Sequence, residues 1–302
     1  MKDTPLASIL PDGRLALLHG PIHATVRMVD TPQAVAKARA RVVARFQTLL
    51  AELCEERSAL HDPDGAPVSE TGQRMAAAIA PHRPHTFVTP MAAVAGAVAD
   101  TLCHAAGPLR RVIVNNGGDI AMRLAPGERA SARIATPAGE TVGTVRIASD
   151  DGVGGLATSG AGGRSLSLGI ADAVTVLAGT AAAADAAATL IANAVDLPGH
   201  PAISRAKACD LVPGSDLGDR PVVSAVGPLS AREVAAALQA GAAAANHMRA
   251  RGTIIAAALS LRGATVLSGD GLAGLFELGE GEGHERGLVN RVADGRAYAD
   301  LA

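Results

Sequence analysis

The sequence predicts an α+β fold in which helices pack against a largely antiparallel β-sheet. Strand-like segments are joined mostly by short turns rather than by helices, and this pattern favours hairpins over strand–helix–strand units. Hydrophobic residues make up 48% of the 302 residues, so the chain can bury a substantial core. Aromatic residues are only 1% and Trp is absent, so Ala, Val, Leu and Ile have to fill this core.

The N-terminal third is expected to contain two strands and three helices. Pro32 opens a long amphipathic pattern, where the fixed backbone angle of proline suits the first turn of a helix. The last of the three helices is apolar almost all round and ends at Gly107. The predicted strands cover 14–20 and 24–30, and the predicted helices cover 31–60, 70–79 and 87–107.

The middle of the chain is rich in strands. The segment "RVIVNNGGDIAMRL" (111–124) places two apolar runs around Asn116, Gly117 and Gly118. This turn predicts a hairpin because it requires positive φ, which glycine adopts readily. Further strands are expected at 131–137, 140–149 and 172–179, with a glycine-rich loop at 150–165 and an alanine-rich helix at 179–196.

The C-terminal third is predicted as loop, strand, helix and strand pair. Ser230 is a good helix N-cap, and Glu233 three residues later completes a capping box. We expect a single domain over 1–302, with its core at about 10–265 and a flexible acidic, glycine-rich tail at about 270–302. The predicted elements are a loop at 198–221, strands at 222–227, 253–260 and 264–268, and a helix at 230–249.

Composition excludes several classes of partner. A formal net charge of −2 and the scarcity of aromatic rings argue against nucleic-acid binding. The most apolar run, 253–261, is too short to span a bilayer, and the first residues lack the pattern of a secretory signal. Cys54, Cys103 and Cys209 are scattered, which predicts reduced core thiols in a cytoplasmic protein.

A polar column on the alanine-rich helix is the main candidate site. Asp185, Thr189 and Asn193 are each four residues apart, which places them on one helix face. A carboxylate and a hydroxyl offer the hard oxygen ligands that Mg²⁺ prefers. The alternative is a stripe that faces solvent or caps neighbouring backbone.

The glycine-rich loop at 150–165 is a candidate anion site. Its six glycines leave backbone N–H groups free to surround an anion, with Thr158, Ser159 and Arg164 as further donors. A merely flexible loop is the alternative. The match of "GVGGLA" to a dinucleotide fingerprint is weak, because glycines continue where a helix should begin.

Two smaller constellations have structural explanations beside functional ones. Asn115, Asn116 and Asp119 are good turn formers, although the bare backbone of the glycines between them would let a planar ligand approach closely. Asp100 and His104, four apart on a helix, suit either a carboxylate–imidazole pair or a polar helix edge.

As a set, four motifs resemble the ApbE superfamily of Mg²⁺-dependent FMN transferases, and most of all its UPF0280 branch. The resemblance covers about residues 10–265 and implies an ApbE-like α+β fold with a flavin dinucleotide in a central cleft. The motifs are "GAVAD" (96–100), "VNNGGDI" (114–120), "LATSG" (156–160) and "VTVLAGTAAAADAAAT" (174–189).

The resemblance also assigns site residues. It implies that Asp185 and Thr189 hold Mg²⁺ together with a backbone carbonyl, which matches Val94 here. The glycine turn and the ATSG segment would line the flavin cleft through Gly117, Gly118, Asp119, Thr158, Ser159 and Gly160. The residue pattern adds Asn116 and Arg164 to these candidate FAD- or FMN-binding residues, with Ser159 and Arg164 placed to grip an anion.

Two departures from the transferase pattern concern the chemistry. Transferases carry a Lys before the glycine of the early helix motif, where this chain has Ala95. They also carry a His-led segment before the last strand, and here "SLSLGIAD" (165–172) occupies that place without His or Pro. The usual proton-transferring side chain is therefore missing.

We expect a cytoplasmic homo-oligomer with one polar cleft that binds a small-molecule ligand. The first hypothesis is an enzyme, either an ApbE-like transferase or a hydrolase or lyase, that acts on a small or phosphorylated metabolite with help from Mg²⁺. Asp119, Asp185 and Ser159 are its catalytic candidates, and without metal the two aspartates become the general acid and base. The alternatives are a flavin- or nucleotide-binding accessory protein without turnover and, ranked lowest, FMN transfer.

Overall fold

The computed structural model describes residues 4–135, 141–161, 165–269, 276–278 and 290–291. They form two compact units. The first unit comprises Met1–Ala130, Ile147–Ala157 and Leu177–Ala186, and the second comprises Ser131–Arg146, Thr158–Val176 and Ala187–Ala302. The single domain and its mobile tail stay predictions, since most of 270–302 lies outside the described residues.

The described residues form groups of strands separated by helices. The strands are β1 (Leu6–Ile9), β2 (Leu15–His19), β3 (Ile22–Val29), β4 (Arg111–Asn116), β5 (Asp119–Leu124), β6 (Arg129–Ala135), β7 (Thr141–Ala148), β8 (Gly155–Ser159), β9 (Ala173–Ala178), β10 (Ile203–Lys207), β11 (Pro221–Val226), β12 (Ala256–Leu261), β13 (Ala264–Ser268), β14 (Phe276–Leu278) and β15 (Asn290–Arg291). The helices are α1 (Pro32–Glu55), α2 (Arg57–His61), α3 (Glu70–Ile79), α4 (Val94–Ala105), α5 (Ala181–Ala194), α6 (Ala208–Leu211) and α7 (Ala231–Ala250).

In the first unit, β1 to β5 pair with their sequence neighbours in antiparallel order, and β8 pairs antiparallel with β5. The β4–β5 hairpin opposes Asn116 to Asp119 across a two-residue turn. Gly117 and Gly118 in this turn have φ values of 68° and 114°. The mixture of helices with a largely antiparallel sheet confirms the predicted fold class, and the turn confirms the predicted hairpin.

The core of the first unit is aliphatic, as the composition predicts. Helix α1 buries residues spaced three or four apart, among them Val42, Phe46, Leu49 and Leu53. Helix α4 buries seven of its twelve residues, most of them small or aliphatic. Its buried small side chains let neighbouring backbone come close, and this closeness shapes the candidate site.

The second unit packs α7 against β12 and β13. Every residue of β9 and β12 is buried. Helix α7 starts with the predicted capping box, in which Ser230 accepts a hydrogen bond from the backbone of Glu233 while the Glu233 carboxylate accepts one from the backbone of Ser230. Strands β10 and β11 form a separate two-stranded sheet, and β6, β7 and β14 form a three-stranded one.

Three predicted boundaries are wrong. The helix predicted over 31–60 is interrupted at Glu56, whose carboxylate accepts the backbone N–H groups of Val68 and Ser69 at 3.1 and 2.6 Å. The loop predicted at 198–221 contains β10 and α6, and the edge strand β1 was not predicted. Pairing of β1 with β2 and of β10 with β11, and the bonds to Glu56, account for these differences.

The three cysteines differ in burial, so the prediction of core thiols is correct only for Cys103. Cys54 is exposed and Cys209 is partly exposed. Burial raises the pKa of the Cys103 thiol to about 12, which keeps it in the unreactive protonated form.

We expect iodoacetamide at mildly alkaline pH to modify Cys54 in the native protein and Cys103 only after unfolding in urea. Peptide mass spectrometry of the native and unfolded samples gives the modified fraction at each site. Equal labelling rates of Cys54 and Cys103 in the native protein would contradict the buried placement of Cys103.

Among the described residues, no helix has both the length and the hydrophobicity needed to cross a membrane.

Candidate functional site

The polar column predicted from sequence lies on one face of α5. Asp185, Thr189 and Asn193 are partly exposed, whereas most of the alanine and aliphatic side chains of this helix are buried. The spacing of four therefore yields the single polar face that helical periodicity predicts. The structure assigns different partners to the members of the column.

Asp185 contacts the first turn of α4. Its Oδ2 atom accepts the backbone N–H of Gly96 at 2.9 Å, and the backbone of Ala95 also contributes a hydrogen bond to the carboxyl group. Unpaired N–H groups at a helix start carry partial positive charge and favour a carboxylate there. Of the two interpretations of the column, capping of neighbouring backbone therefore applies to Asp185.

Asp100 on α4 makes the reciprocal contact with the first turn of α5. Its Oδ1 and Oδ2 atoms accept the backbone N–H groups of Ala181 and Ala182 at 3.0 and 2.9 Å. The hydroxyl of Thr180 accepts the next one, from Ala183, at 3.1 Å. Each of the two helices thus carries an aspartate that caps the start of the other.

The two helix starts touch through their backbones. A Cβ atom added at Gly96 would lie 2.3 Å from the carbonyl oxygen of Ala181, and one added at Gly155 would lie 2.1 Å from the backbone nitrogen of Ala181. Real Cβ atoms do not approach backbone this closely, so both positions require glycine. The carboxylate exchange therefore occurs in a tightly packed part of the first unit.

Burial and a neighbouring negative charge both raise the pKa of Asp185. Enclosure of its carboxyl group is the main cause that raises the pKa of Asp185 well above the usual range, and the nearby Asp119 carboxylate raises it further. The residue as a whole keeps some exposed surface, so the enclosure concerns the carboxyl end of the side chain. Burial likewise raises the pKa of Asp100, against the hydrogen bonds from Ala182 and Ala181.

This electrostatic setting suits a divalent cation, whose charge would offset the mutual repulsion of Asp185, Asp119 and Asp100. Within the described ranges, no three His, Cys, Asp or Glu side chains lie close enough to form a metal site on their own. Mg²⁺ fits such a setting because it keeps several waters and uses only one or two protein carboxylates. Val94, the predicted carbonyl ligand, begins α4 two residues before Gly96.

The β4–β5 turn is tied to α4. The buried side chain of Asn116 donates its Nδ2 hydrogen to the carbonyl oxygen of Ala95 at 3.1 Å. The side-chain Oδ1 atom of Asn115 accepts the N–H of Gly118 at 2.9 Å. Asn116 therefore links the turn to the helix start where Asp185 binds. The backbone of Gly118 stands in open space, and the flavin-binding role predicted for Asn116, Gly117, Gly118 and Asp119 stays a prediction.

The glycine-rich segment differs from its prediction as a loop. Residues Gly155–Ser159 form strand β8, whose start pairs with β5, so this part does not supply a set of free N–H groups. In the second unit the hydroxyls of Thr158 and Thr175 are 2.9 Å apart, and a Cβ at Gly160 would lie 2.4 Å from the carbonyl oxygen of Asp172.

The glycines at 154, 155 and 160 therefore serve close backbone packing. Ser159 is partly exposed. The predicted binding roles of Thr158, Ser159 and Gly160 stay predictions, and Arg164 lies outside the described residues.

Asn193 has a structural partner in the second unit. Its Oδ1 atom accepts the backbone N–H of Leu168 at 2.9 Å, within the segment 165–172. A Cβ at Gly169 would lie 2.1 Å from the carbonyl oxygen of Ala192, so this segment packs directly on the end of α5. Thr189, one helical turn before Asn193, is partly exposed.

Sequence reasoning named Asp100 beside His104 but did not predict its bonds to the start of α5, although a signal for them exists. The segments "GAVAD" (96–100) and "AAAAD" (181–185) share a small residue followed by an aspartate four positions later. In each segment the small residue donates its N–H to the aspartate of the other segment. A repeated small-xxx-Asp pattern at two helix starts would have pointed to this exchange.

A family model described as "AbpE bacteria" matches residues 7–267. Curated UPF0280 proteins of Methanopyrus kandleri and Methanothermobacter thermautotrophicus are 46% and 41% identical over 113 and 115 residues. These segments cover 35% and 37% of the chain but 43% and 44% of the relatives. The chain thus matches less than half the length of the curated relatives.

Two solved structures are distant neighbours. The ApbE protein of Thermotoga maritima has a TM-score of 0.34 at 13% identity over 65% of this chain and 88% of its own. The apo form of the flavinyl transferase ApbE of Pseudomonas stutzeri has a TM-score of 0.39 at 13% identity, over 91% of this chain and 98% of its own.

Proposed function

Because the chain belongs to the ApbE-like family described as "AbpE bacteria", we propose that it acts on a phosphorylated small molecule of the flavin-nucleotide class with the help of Mg²⁺. The observation that carries this proposal is the enclosed Asp185 carboxylate at the start of α4, beside the charges of Asp119 and Asp100. A bound cation would relieve the repulsion that Asp119 and Asp100 exert on Asp185.

Asp185 would hold the ion through its carboxylate, with Thr189 one turn along the same helix and the carbonyl of Val94. The ion, when bound, supplies positive charge that polarises a phosphate oxygen. Gly96 and Ala95 orient the Asp185 carboxylate through their N–H groups. Asn116 fixes the backbone of Ala95, so it supports the same carboxylate from the other side.

The flavin class rests on family membership and on the residues that match the family's cleft. Gly117 and Gly118 leave their turn without side chains, and this exposed backbone suits the close approach of a planar ring. Asp119 at the end of the turn is near enough to Asp185 to raise its pKa. Asp119, Asp185 and Ser159 are the proposed catalytic residues.

A second candidate, flavin-nucleotide binding without turnover, is favoured by two positions. Ala95 offers only a methyl group where the transferases carry Lys. The segment 165–172 has no His, and its backbone at Leu168 is bound by Asn193. FMN transfer to a partner protein ranks below both, and a cytoplasmic homo-oligomer stays part of the proposal.

The test uses the full-length protein after removal of metal with EDTA. We expect millimolar Mg²⁺ together with FAD to raise the Tm of the wild type, because a ligand that binds only the folded state stabilises it. The Asp185→Ala variant should lose this shift. The Asp30→Ala variant should keep it, since Asp30 is an exposed carboxylate that binds the backbone of Thr31 and Arg110.

Chromatography of the reaction mixture separates the two candidates. Release of FMN or AMP from FAD supports the enzyme, and retention of intact FAD supports the binding protein. A wild type that shows no Tm shift with Mg²⁺ and FAD, alone or together, contradicts both.

A further inference from the structure

The reciprocal capping of α4 and α5 makes the position of Asp185 depend on Asp100. Asp185 lies on the second turn of α5, and the first turn of this helix is held by the two oxygens of Asp100. A shift of the first turn moves the second with it, because an α-helix transmits displacement along its axis. The bond from Gly96 to Asp185 therefore forms only while Asp100 keeps α5 in place.

Close packing makes the first turn of α5 sensitive to small displacements. Its Ala181 backbone lies against Gly96 and against Gly155 at distances that exclude even a methyl group. Both carboxylate oxygens of Asp100 accept backbone N–H groups, from Ala181 and Ala182. It is thus a support for the site rather than a ligand.

We propose that Asp100 is a positioning residue: by fixing the first turn of α5 on α4, it holds the Asp185 carboxylate at the start of α4 and so sets the affinity for Mg²⁺ without binding the ion. This inference rests on the proposed function for its metal part. The contact between Gly96 and Asp185 exists without metal and is tested separately.

Asparagine at position 100 removes one of the two capping bonds. An amide has a single acceptor oxygen, and its NH₂ group would face a second backbone N–H as donor against donor. Outer partners that orient a metal ligand commonly change metal affinity by about 10- to 100-fold when they are replaced. Asp30→Asn is a matched control, because Asp30 also accepts two backbone N–H groups, from Thr31 at 2.7 Å and Arg110 at 2.9 Å.

The experiment compares Asp100→Asn, Asp30→Asn and the wild type by amide NMR and by calorimetric titration with Mg²⁺ alone. In Asp100→Asn we expect the Gly96 amide signal to move upfield and its hydrogen exchange to become roughly tenfold faster without metal. Its Mg²⁺ affinity should fall by about tenfold or more. Asp30→Asn should leave the Gly96 signal and the Mg²⁺ affinity unchanged even if its Tm falls.

An unchanged Gly96 signal in Asp100→Asn overturns the inference. A changed Gly96 signal in a protein whose wild type binds no Mg²⁺ supports the positioning role and rejects the proposed metal function. Asp100→Ser, whose hydroxyl still accepts one N–H, serves if Asp100→Asn does not fold. If both variants fail to fold while Asp30→Asn folds, Asp100 is a general structural residue and the inference is wrong.

Discussion

Replacement of Gly96 by Ala is expected to lower the free energy of unfolding by about 3 kcal/mol, at the upper end of the usual cost of overpacking. The added Cβ would meet the carbonyl oxygen and carbon of Ala181 at 2.3 and 2.5 Å and the nitrogen of Ala182 at 2.8 Å. All three are backbone atoms of a helix start that Asp100 holds, so they have little freedom to move. Helix propensity acts in the opposite direction, because Ala is favoured over Gly by only about 1 kcal/mol.

Gly179→Ala is the control for this variant. Gly179 lies just before α5, has no left-handed φ, and has no atom within 4 Å of an added Cβ. We expect its stability to stay within about 0.5 kcal/mol of the wild type. Urea unfolding followed by circular dichroism measures both variants, and a Gly96→Ala protein as stable as Gly179→Ala would show that the two helix starts are not in backbone contact.

The helical face of Asp185, Thr189 and Asn193 could be predicted because a spacing of four is a local property of the chain. The partners of this face could not be predicted in the same way. The Gly96 donor of Asp185 is 89 residues away in sequence, and the Ala181 donor of Asp100 is 81 residues away. Contacts between residues so far apart in the chain depend on how the helices pack. The periodicity of a single helix does not specify that packing.

For the glycines of the 150–165 segment, the local pattern itself gave a wrong prediction. Glycine is typical of loops, so the local pattern predicted a loop over the whole segment. In the structure Gly155 belongs to a strand and is small because Ala181 lies against it, and Gly160 is small because Asp172 does. Glycine allows unusual backbone angles in some places and close contact between backbone segments in others. Only the packing of the folded chain distinguishes the two.

For Asn193, the family resemblance and the spacing of four lead to different predictions. The resemblance assigned metal binding to Asp185 and Thr189 and assigned nothing to Asn193. The structure gives Asn193 a bond to Leu168, so the third member of the column supports the segment that has lost the usual His. The spacing alone made all three residues equal candidates for the site.

In protein without metal, Asp185→Asn is expected to raise the Tm at neutral pH by roughly 2–4 °C, the shift that about 1 kcal/mol produces in a large domain. Burial raises the pKa of the Asp185 carboxyl, so the folded state binds this proton more tightly than the unfolded state does. The stability that this proton provides is present below the unfolded pKa of about 3.8 and is lost as the pH rises through the folded pKa. The amide carries no charge and keeps its oxygen for the N–H of Gly96, while its NH₂ group cannot accept the N–H of Ala95, and this loss limits the gain.

The advantage of Asp185→Asn over the wild type should therefore be small at acidic pH and grow towards neutral pH, as measured by thermal unfolding across that range. Asp30→Asn has the opposite sign, because bonds from Thr31 and Arg110 lower the pKa of Asp30. This variant should lose stability at neutral pH and approach the wild type at low pH.

Addition of Mg²⁺ should reverse the order of Asp185→Asn and the wild type, since only the wild type retains the carboxylate that binds the ion. A residue that destabilises the protein without ligand and stabilises it when the ligand is bound is expected at a binding site. An Asp185→Asn protein that is less stable than the wild type at neutral pH without metal would assign Asp185 to helix capping alone.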